Sequence, residues 1–311
     1  MGANSTMLGD LLEIQGFHIA LPFRYPLFFS LLLVYCSLVL SNVGVLLVIF
    51  SDRSLHQPMY LLFCNLPLND LMGNTVLLPR LMMHIVSGER YISYQQCVVQ
   101  AFHSHTFGSA SHMILIIMAI DRYIAICHPL RYSTIMTSRT VTGLSVAAWG
   151  ISLVLVSILI GLTVRLSRCR NVIQNAYCDN ASLFKLSCDD VSINNIYGLF
   201  FTVLLFCCSI GGIGITYIRI ALLCWIKKNK ELNRRAVQTC ASHLVLYLIM
   251  MCTGFLTIIL HRFPEYPYLR QIAYVLFHVV PASLNPVIYG LQTKSLRDKI
   301  MYYVRRKVLP N

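Results

Sequence analysis

Charge is scarce in this chain of 311 residues. Only 12% of them are Asp, Glu, Lys or Arg, and the acids number 12 against 25 Lys and Arg. A soluble domain carries roughly a quarter of its residues as charges, so an ordinary water-soluble fold is excluded. Gly-x-Ser-x-Gly, His-Glu-x-x-His and paired intramembrane acids are all missing. Without them no nucleophile, base or metal cluster is placed for chemistry, and neither an enzyme nor a cofactor is expected. The paired half-spans of a secondary transporter are missing too. So is any basic patch with interleaved aromatics, which argues against nucleic acid as a partner. The first two dozen residues lack the basic stretch, short apolar core and small-residue cleavage site of a removable signal peptide. The first long apolar block is therefore expected to serve as an uncleaved insertion signal.

What the chain has in abundance is apolar length. Hydrophobic residues make up 57% of it, gathered in blocks of about 20 or more, enough to cross a hydrocarbon core of about 30 Å. The blocks run Tyr25–Phe50, Met59–Ile85, Gln96–Ile126, Val141–Leu166, Ile196–Trp225, Ala236–His261 and Arg270–Gly290. The expected fold is an all-α membrane protein, a bundle of seven transmembrane helices over residues 25–290. An outer segment at 1–24 precedes it, and an inner stretch at 291–311 follows. That last stretch, "SLRDKIMYYVRRKVL", mixes apolar and basic residues at roughly helical spacing and suits a short amphipathic helix on the membrane surface.

Lys and Arg orient the bundle. "KKNKELNRR" between spans five and six, the tail from Lys294, and Arg53, Arg131 and Arg139 put most of the basic charge on one face. The bias predicts a cytosolic C-terminus and an outer N-terminus, at the plasma membrane. The net charge of +13 reads as topology and contact with anionic lipid. Sequons at Asn4 and Asn180 fall on the predicted outer face, with Asn4 the expected glycan acceptor because Asn180 sits in a crowded loop. Cys97, Cys169, Cys178 and Cys188 fall there as well. An even set on an oxidising face suggests two bridges, with the pairing open. The other eight cysteines read as packing residues.

Polar groups inside the spans are expensive; a charge at mid-membrane costs about 2.5–3.5 kcal/mol. Asn42, Asp70, Ser111 and Asn285 stand in spans one, two, three and seven. They are expected to turn towards one another as a structural cluster, or as a hydrated switch holding a cation beside Asp70. Pro281 and Pro286 make span seven easy to kink, with Tyr289 just beyond. At the inner end of span three Asp121 and Arg122 arrive side by side in "MAIDRYIAICHPLRY".

Four stretches, "LHQPMYLLFCNLPLND" (55–70), "MAIDRYIAICHPLRY" (118–132), "RAVQTCASHL" (235–244) and "PASLNPVIY" (281–289), together and in order resemble the odorant receptors of the rhodopsin-like G protein-coupled class. The likeness covers nearly the whole chain. "AYCDNASLFKLSCDD" and "HRF" look more like the class I branch, which predominates in fish. Thr216 before Tyr217, and Arg235, Val237 and Gln238 in the span-six stretch, depart from the usual pattern.

The resemblance implies a receptor that binds a small odorant, acidic or polar, in an outer pocket. It would activate a stimulatory, olfactory-type Gα and raise cAMP. A non-olfactory chemoreceptor of the same class, or more remotely a transporter, is the alternative. The likeness implies that Arg122 is held at rest by Asp121 and released to meet the G protein, with Tyr123, Tyr217, Asn285, Pro286 and Tyr289 in the switch. Read from the residues alone, Arg122 could equally be an interfacial anchor. The implied bridges are Cys97–Cys178 and Cys169–Cys188. Ligand contacts are assigned to His105, Thr257 and Arg262. An Arg at the "HRF" position could pair with a carboxylate through its planar fork, or be a rim residue beside Glu265. His105 could instead be a satisfied interhelical histidine. "HSH" at 103–105 is a poor metal site, since residues two apart on a helix point to different faces.

Overall fold

The computed structural model describes residues 11–16, 19–228, 230–261, 263, 265–292 and 294–308. Eight long helices dominate: α1 Leu21–Ser51, α2 Asn65–Ser87, α3 Tyr94–Cys127, α4 Ser138–Val164, α5 Ser192–Lys227, α6 Lys230–His261, α7 Pro267–Gln292 and α8 Lys294–Val308. Short helical pieces stand at Pro58–Phe63, Tyr132–Ile135 and Asn180–Phe184. Among the described residues there are three short strands: β1 Leu11–Ile14, β2 Tyr91–Ser93 and β3 Val172–Ile173.

Among the described residues, six helices are long and apolar enough to cross a membrane: α1, α3, α4, α5, and the stretches Cys240–Leu260 of α6 and Pro267–Ile288 of α7. The seventh of the bundle, α2, is more polar. Its Asn65, Asn69, Asp70 and Asn74 fall on one helical face, and all four are buried. That face turns to α1, α3 and α7, while Leu68 and Met83 look outward. The polarity runs opposite to that of a soluble helix, as it must where the solvent is hydrocarbon.

The sequence predicts one continuous span over Met59–Ile85, and the structure differs. A short helix, Pro58–Phe63, ends at Cys64 and α2 begins at Asn65. Pro67 explains the break: it has no N–H for the carbonyl four residues back, and its ring crowds that carbonyl, which belongs to Phe63. Pro281 and Pro286, by contrast, lie inside α7 without ending it. Helix starts carry their own signals. Ser93 accepts from the Gln96 N–H at the head of α3, and Thr137 from the Thr140 N–H at the head of α4.

One end of the bundle wears a lid. β1 lies in the middle of a three-stranded sheet, antiparallel to β2 and parallel to β3. Alternation in "LLEI" puts Leu12 and Ile14 in the core with Ile92, Ile173, Cys97 and Cys178, so a segment expected to be a bare outer terminus is built into the roof. Bridges Cys97–Cys178 and Cys169–Cys188 tie the long α4–α5 loop to α3 and to itself. At the other end α8 is seated by buried Leu296 and by Lys299 Nζ, 2.5 Å from the carboxylate of Asp52.

Candidate functional site

Beneath the lid lies a cavity of ≈ 380 Å³. Its walls come from α3 (Ser104, His105, Gly108, Ser109, His112), α5 (Gly198, Thr202, Leu205, Phe206), α6 (Gly254, Thr257, Ile258), α7 (Tyr274, Phe277) and the lid (Asp179, Asn180, Phe184, Lys185). Size and mixed lining suit a small organic ligand. Glycine shapes part of the wall. A Cβ on Gly108 or Gly254 would come within 3.3–3.4 Å of the Phe277 ring, so both are small where that ring needs room.

The lid is keyed to the cavity by hydrogen bonds. The N–H of Cys178 donates to Gln100 Oε1 at 2.9 Å, and the N–H of Asn180 to His105 Nε2 at 3.2 Å. His105 therefore lines the cavity and at the same time meets the lid. Thr163 donates to Asn180 Oδ1 at 2.6 Å, and Asn180 is 5% exposed. Its side chain is thus buried and engaged within the lid. Tyr177 stacks on Tyr274 with ring centroids 3.4 Å apart. Burial, with Asp179 adding to it, holds the Tyr177 phenol well above the ordinary tyrosine range.

Below the cavity the polar groups form two sets. In one, His112 Nδ1 lies 3.0 Å from Ser209 Oγ, which accepts from Tyr247 at 3.1 Å, joining α3, α5 and α6. In the other, Asn285 donates to Asp70 at 2.8 Å. Asn42 and Ser111, expected in the same cluster, are directed elsewhere. Asn42 donates to the carbonyl of Ala282, and Ser111 accepts from Asn69. Asn69 and Asn74 were missed by the sequence reading, although "LPLNDLMGN" displays both. Asn74 reaches the His278 carbonyl at 3.1 Å. Asn69 also donates to the Phe107 carbonyl on α3 at 3.0 Å, so each finds a main-chain acceptor on another helix.

At the far end of α3, Asp121 and Arg122 are buried. Their charged atoms are 3.9 Å apart. The shorter contact of Asp121 is with Tyr132, which donates to it at 2.8 Å. Burial, then the carboxylate beside it, push the Tyr132 phenol up. Tyr217 lies 2.6 Å from His243 Nδ1, bridging α5 and α6. Tyr123 packs on a small cluster of Ile220, Ala236 and Cys240. Pro286 is buried in α7 beside Asn285. Thr257 lines the cavity, its hydroxyl turned back to the Thr253 carbonyl. Asn4, Arg262 and the side chain of Tyr289 lie outside the described residues.

A family model described as olfactory receptor matches residues 31–307. Among curated proteins, Olfactory receptor 52J3 of Homo sapiens is 33% identical over 277 residues, covering 88% of this chain and 89% of that protein. Olfactory receptor 52N4 of Homo sapiens is 32% identical over 272 residues, covering 86% and 85%. Olfactory receptor 52N2 of Homo sapiens is 30% identical over 297 residues, covering 94% and 90%.

Proposed function

The chain belongs to the olfactory receptor family, and from that premise we propose how its two ends divide the work. It is a seven-helix, multi-pass membrane protein that acts as an odorant receptor through G protein, not an enzyme. The lid end faces outside and takes a small odorant with a polar or acidic head. The Arg122 end faces the cytosol and engages a stimulatory, olfactory-type Gα, with α8 lying on anionic lipid. "AYCDNASLFKLSCDD" favours the class I branch.

One observation carries this reading: α3 runs unbroken from Tyr94 to Cys127, with Ser104 and His105 on the cavity and Asp121 and Arg122 at the other end. A ligand that prefers one packing of α3 against α5 and α6 shifts the population of the whole helix set. Between cavity and end, His112–Ser209–Tyr247 and Tyr217–His243 are the polar joints across which that packing would change. Asp121, held by Tyr132, keeps Arg122 at rest. Asp70 and Asn285 brace α2 against α7, while Asn42 ties α1 to α7 and Ser111 ties α3 to α2, and a cation beside Asp70 is the alternative to a purely structural cluster. The cavity-lining Lys185 is a cation available to an acidic head, and the resemblance at "HRF" proposes Arg262 as another.

The test is Arg122→Ala in cells expressing the receptor, screened with short-chain acids, alcohols and amines. Odorant-driven cAMP should vanish while surface expression holds. Full signalling by the variant at normal surface level would end the assignment of Arg122.

A further inference from the structure

The α7 wall of the cavity carries a hydrogen-bond chain whose direction can be deduced. His278 Nδ1 lies 2.9 Å from the Tyr274 carbonyl. A carbonyl only accepts, so Nδ1 carries the proton. In the neutral imidazole Nε2 then only accepts. Ser104 Oγ is 3.1 Å from that Nε2, so the Ser104 hydroxyl donates to it. Tyr274 Oη is 2.5 Å from the same Ser104 oxygen. The serine proton being committed, Tyr274 is the donor there.

Every proton in the chain is therefore spent inside it. His278 is buried, and Asn74 holds its carbonyl from α2 at 3.1 Å, so the ring is fixed by two neighbouring helices. What Ser104 and Tyr274, both lining the cavity, have left to offer is lone pairs. Asp179, which lines it as well, adds carboxylate oxygens, and one of them already accepts from the Ser182 N–H at 2.6 Å. A ligand group meeting this wall encounters acceptors.

We infer that the Ser104–Tyr274–His278 chain is a polar subsite selecting odorants whose head donates a hydrogen bond, an alcohol or an amine, over ethers of the same length. The inference rests on the cavity being the odorant site. An O–H or N–H placed at Tyr274 Oη or Ser104 Oγ gains a bond. An ether oxygen gains nothing and leaves the wall's lone pairs without partners.

Purified full-length receptor, titrated with hexan-1-ol, hexylamine and 1-methoxyhexane, reads binding directly, as a concentration-dependent rise in melting temperature. The alcohol or the amine should bind about two- to twelvefold more tightly than the ether, the range set by one net hydrogen bond. A preference shared by alcohol and amine identifies the chain as the selector, whereas one for the amine alone places the selection at Asp179 and counts against the chain. Tyr274→Phe, which keeps the ring against Tyr177, should bring alcohol and ether together, and Ser104→Ala gives a second reading if that variant fails to fold. Equal binding of alcohol and ether by the native receptor, or no binding by any of the three, overturns the inference. Because this readout needs no G protein, donor-selective binding without cAMP would count against the coupling assignment and leave the subsite standing.

Discussion

At Gly73 α2 and α3 come close, and an added methyl there should be felt throughout the bundle. A Cβ at position 73 would sit 2.6, 2.7 and 2.9 Å from Cδ2, Cγ and Cβ of Phe107, against an ordinary carbon–carbon contact of about 3.5–4.0 Å. The clash is with the root of the side chain, so rotation does not relieve it. Phe107 is 1% exposed. Its ring stacks on His278 with centroids 4.8 Å apart and meets Phe277 edge-on at 5.7 Å. Its carbonyl is held by Asn69 and Ser111. Gly73→Ala must therefore part the helices, an overpacking cost of about 1–3 kcal/mol, set against roughly 0.8–1.0 kcal/mol gained from alanine's helix propensity. Gly143→Ala is the control: its Cβ meets nothing within 4 Å, so it collects the propensity alone. The two variants should differ by about 1–3 kcal/mol, a factor of roughly 5 to 150 in the folded ratio. Thermal unfolding of the purified receptors, checked against the surface fraction in cells, reads that difference. If Gly73→Ala is as stable as Gly143→Ala, the close approach of α2 and α3 is wrong.

Cys97→Ser or Cys178→Ser should lower surface delivery more than Cys64→Ser, because the first two open the Cys97–Cys178 bridge and the third touches only packing; peptide mass mapping that finds Cys97 as a free thiol in mature receptor would reject the pairing. The Asp52 carboxylate, held chiefly by its hydrogen bond to Lys299, should titrate at about 2 instead of 3.8. The stability from that contact is then complete above the ordinary carboxylate pKa and is lost as pH falls towards 2, so seating of α8 should not change across neutral pH. Lys299→Gln should bring the Asp52 titration back up towards 3.8, and an unchanged titration of isotope-labelled Asp52 would show that Lys299 does not set it.

The spans were legible because hydrocarbon demands apolar length whatever the sequence does elsewhere. The break at Cys64 was not, since "FCNLP" is apolar enough to pass as helix and only the geometry of Pro67 against Phe63 ends it. β1 was overlooked for another reason: "LLEI" is short, and its partners lie about 80 and 160 residues away (Leu11 with Ser93, Glu13 with Val172), a separation no local pattern reports. In the core, Asp70 and Asn285 could be paired from chemical need, but Asn69 and Asn74 bond main-chain carbonyls, and a carbonyl leaves no mark in a sequence. Tyr132 and His243 stood inside stretches already singled out, yet only the fold shows that one holds Asp121 and the other meets Tyr217.

The polar face of α2 also has a history within each molecule's synthesis. Asp70 enters the membrane early, but Asn285, its partner, follows 215 residues later. At about 5–20 residues per second, that is a wait of roughly 10–40 s. Over that interval an acid worth about 2.5–3.5 kcal/mol against insertion must be sheltered by water, by α1 and α3, or by the insertion machinery. The main-chain acceptor that Asn74 uses, on His278, arrives equally late. The last spanning helix to emerge is thus the one that completes the second, and a lesion in α7 would surface as a nascent chain whose α2 never settles.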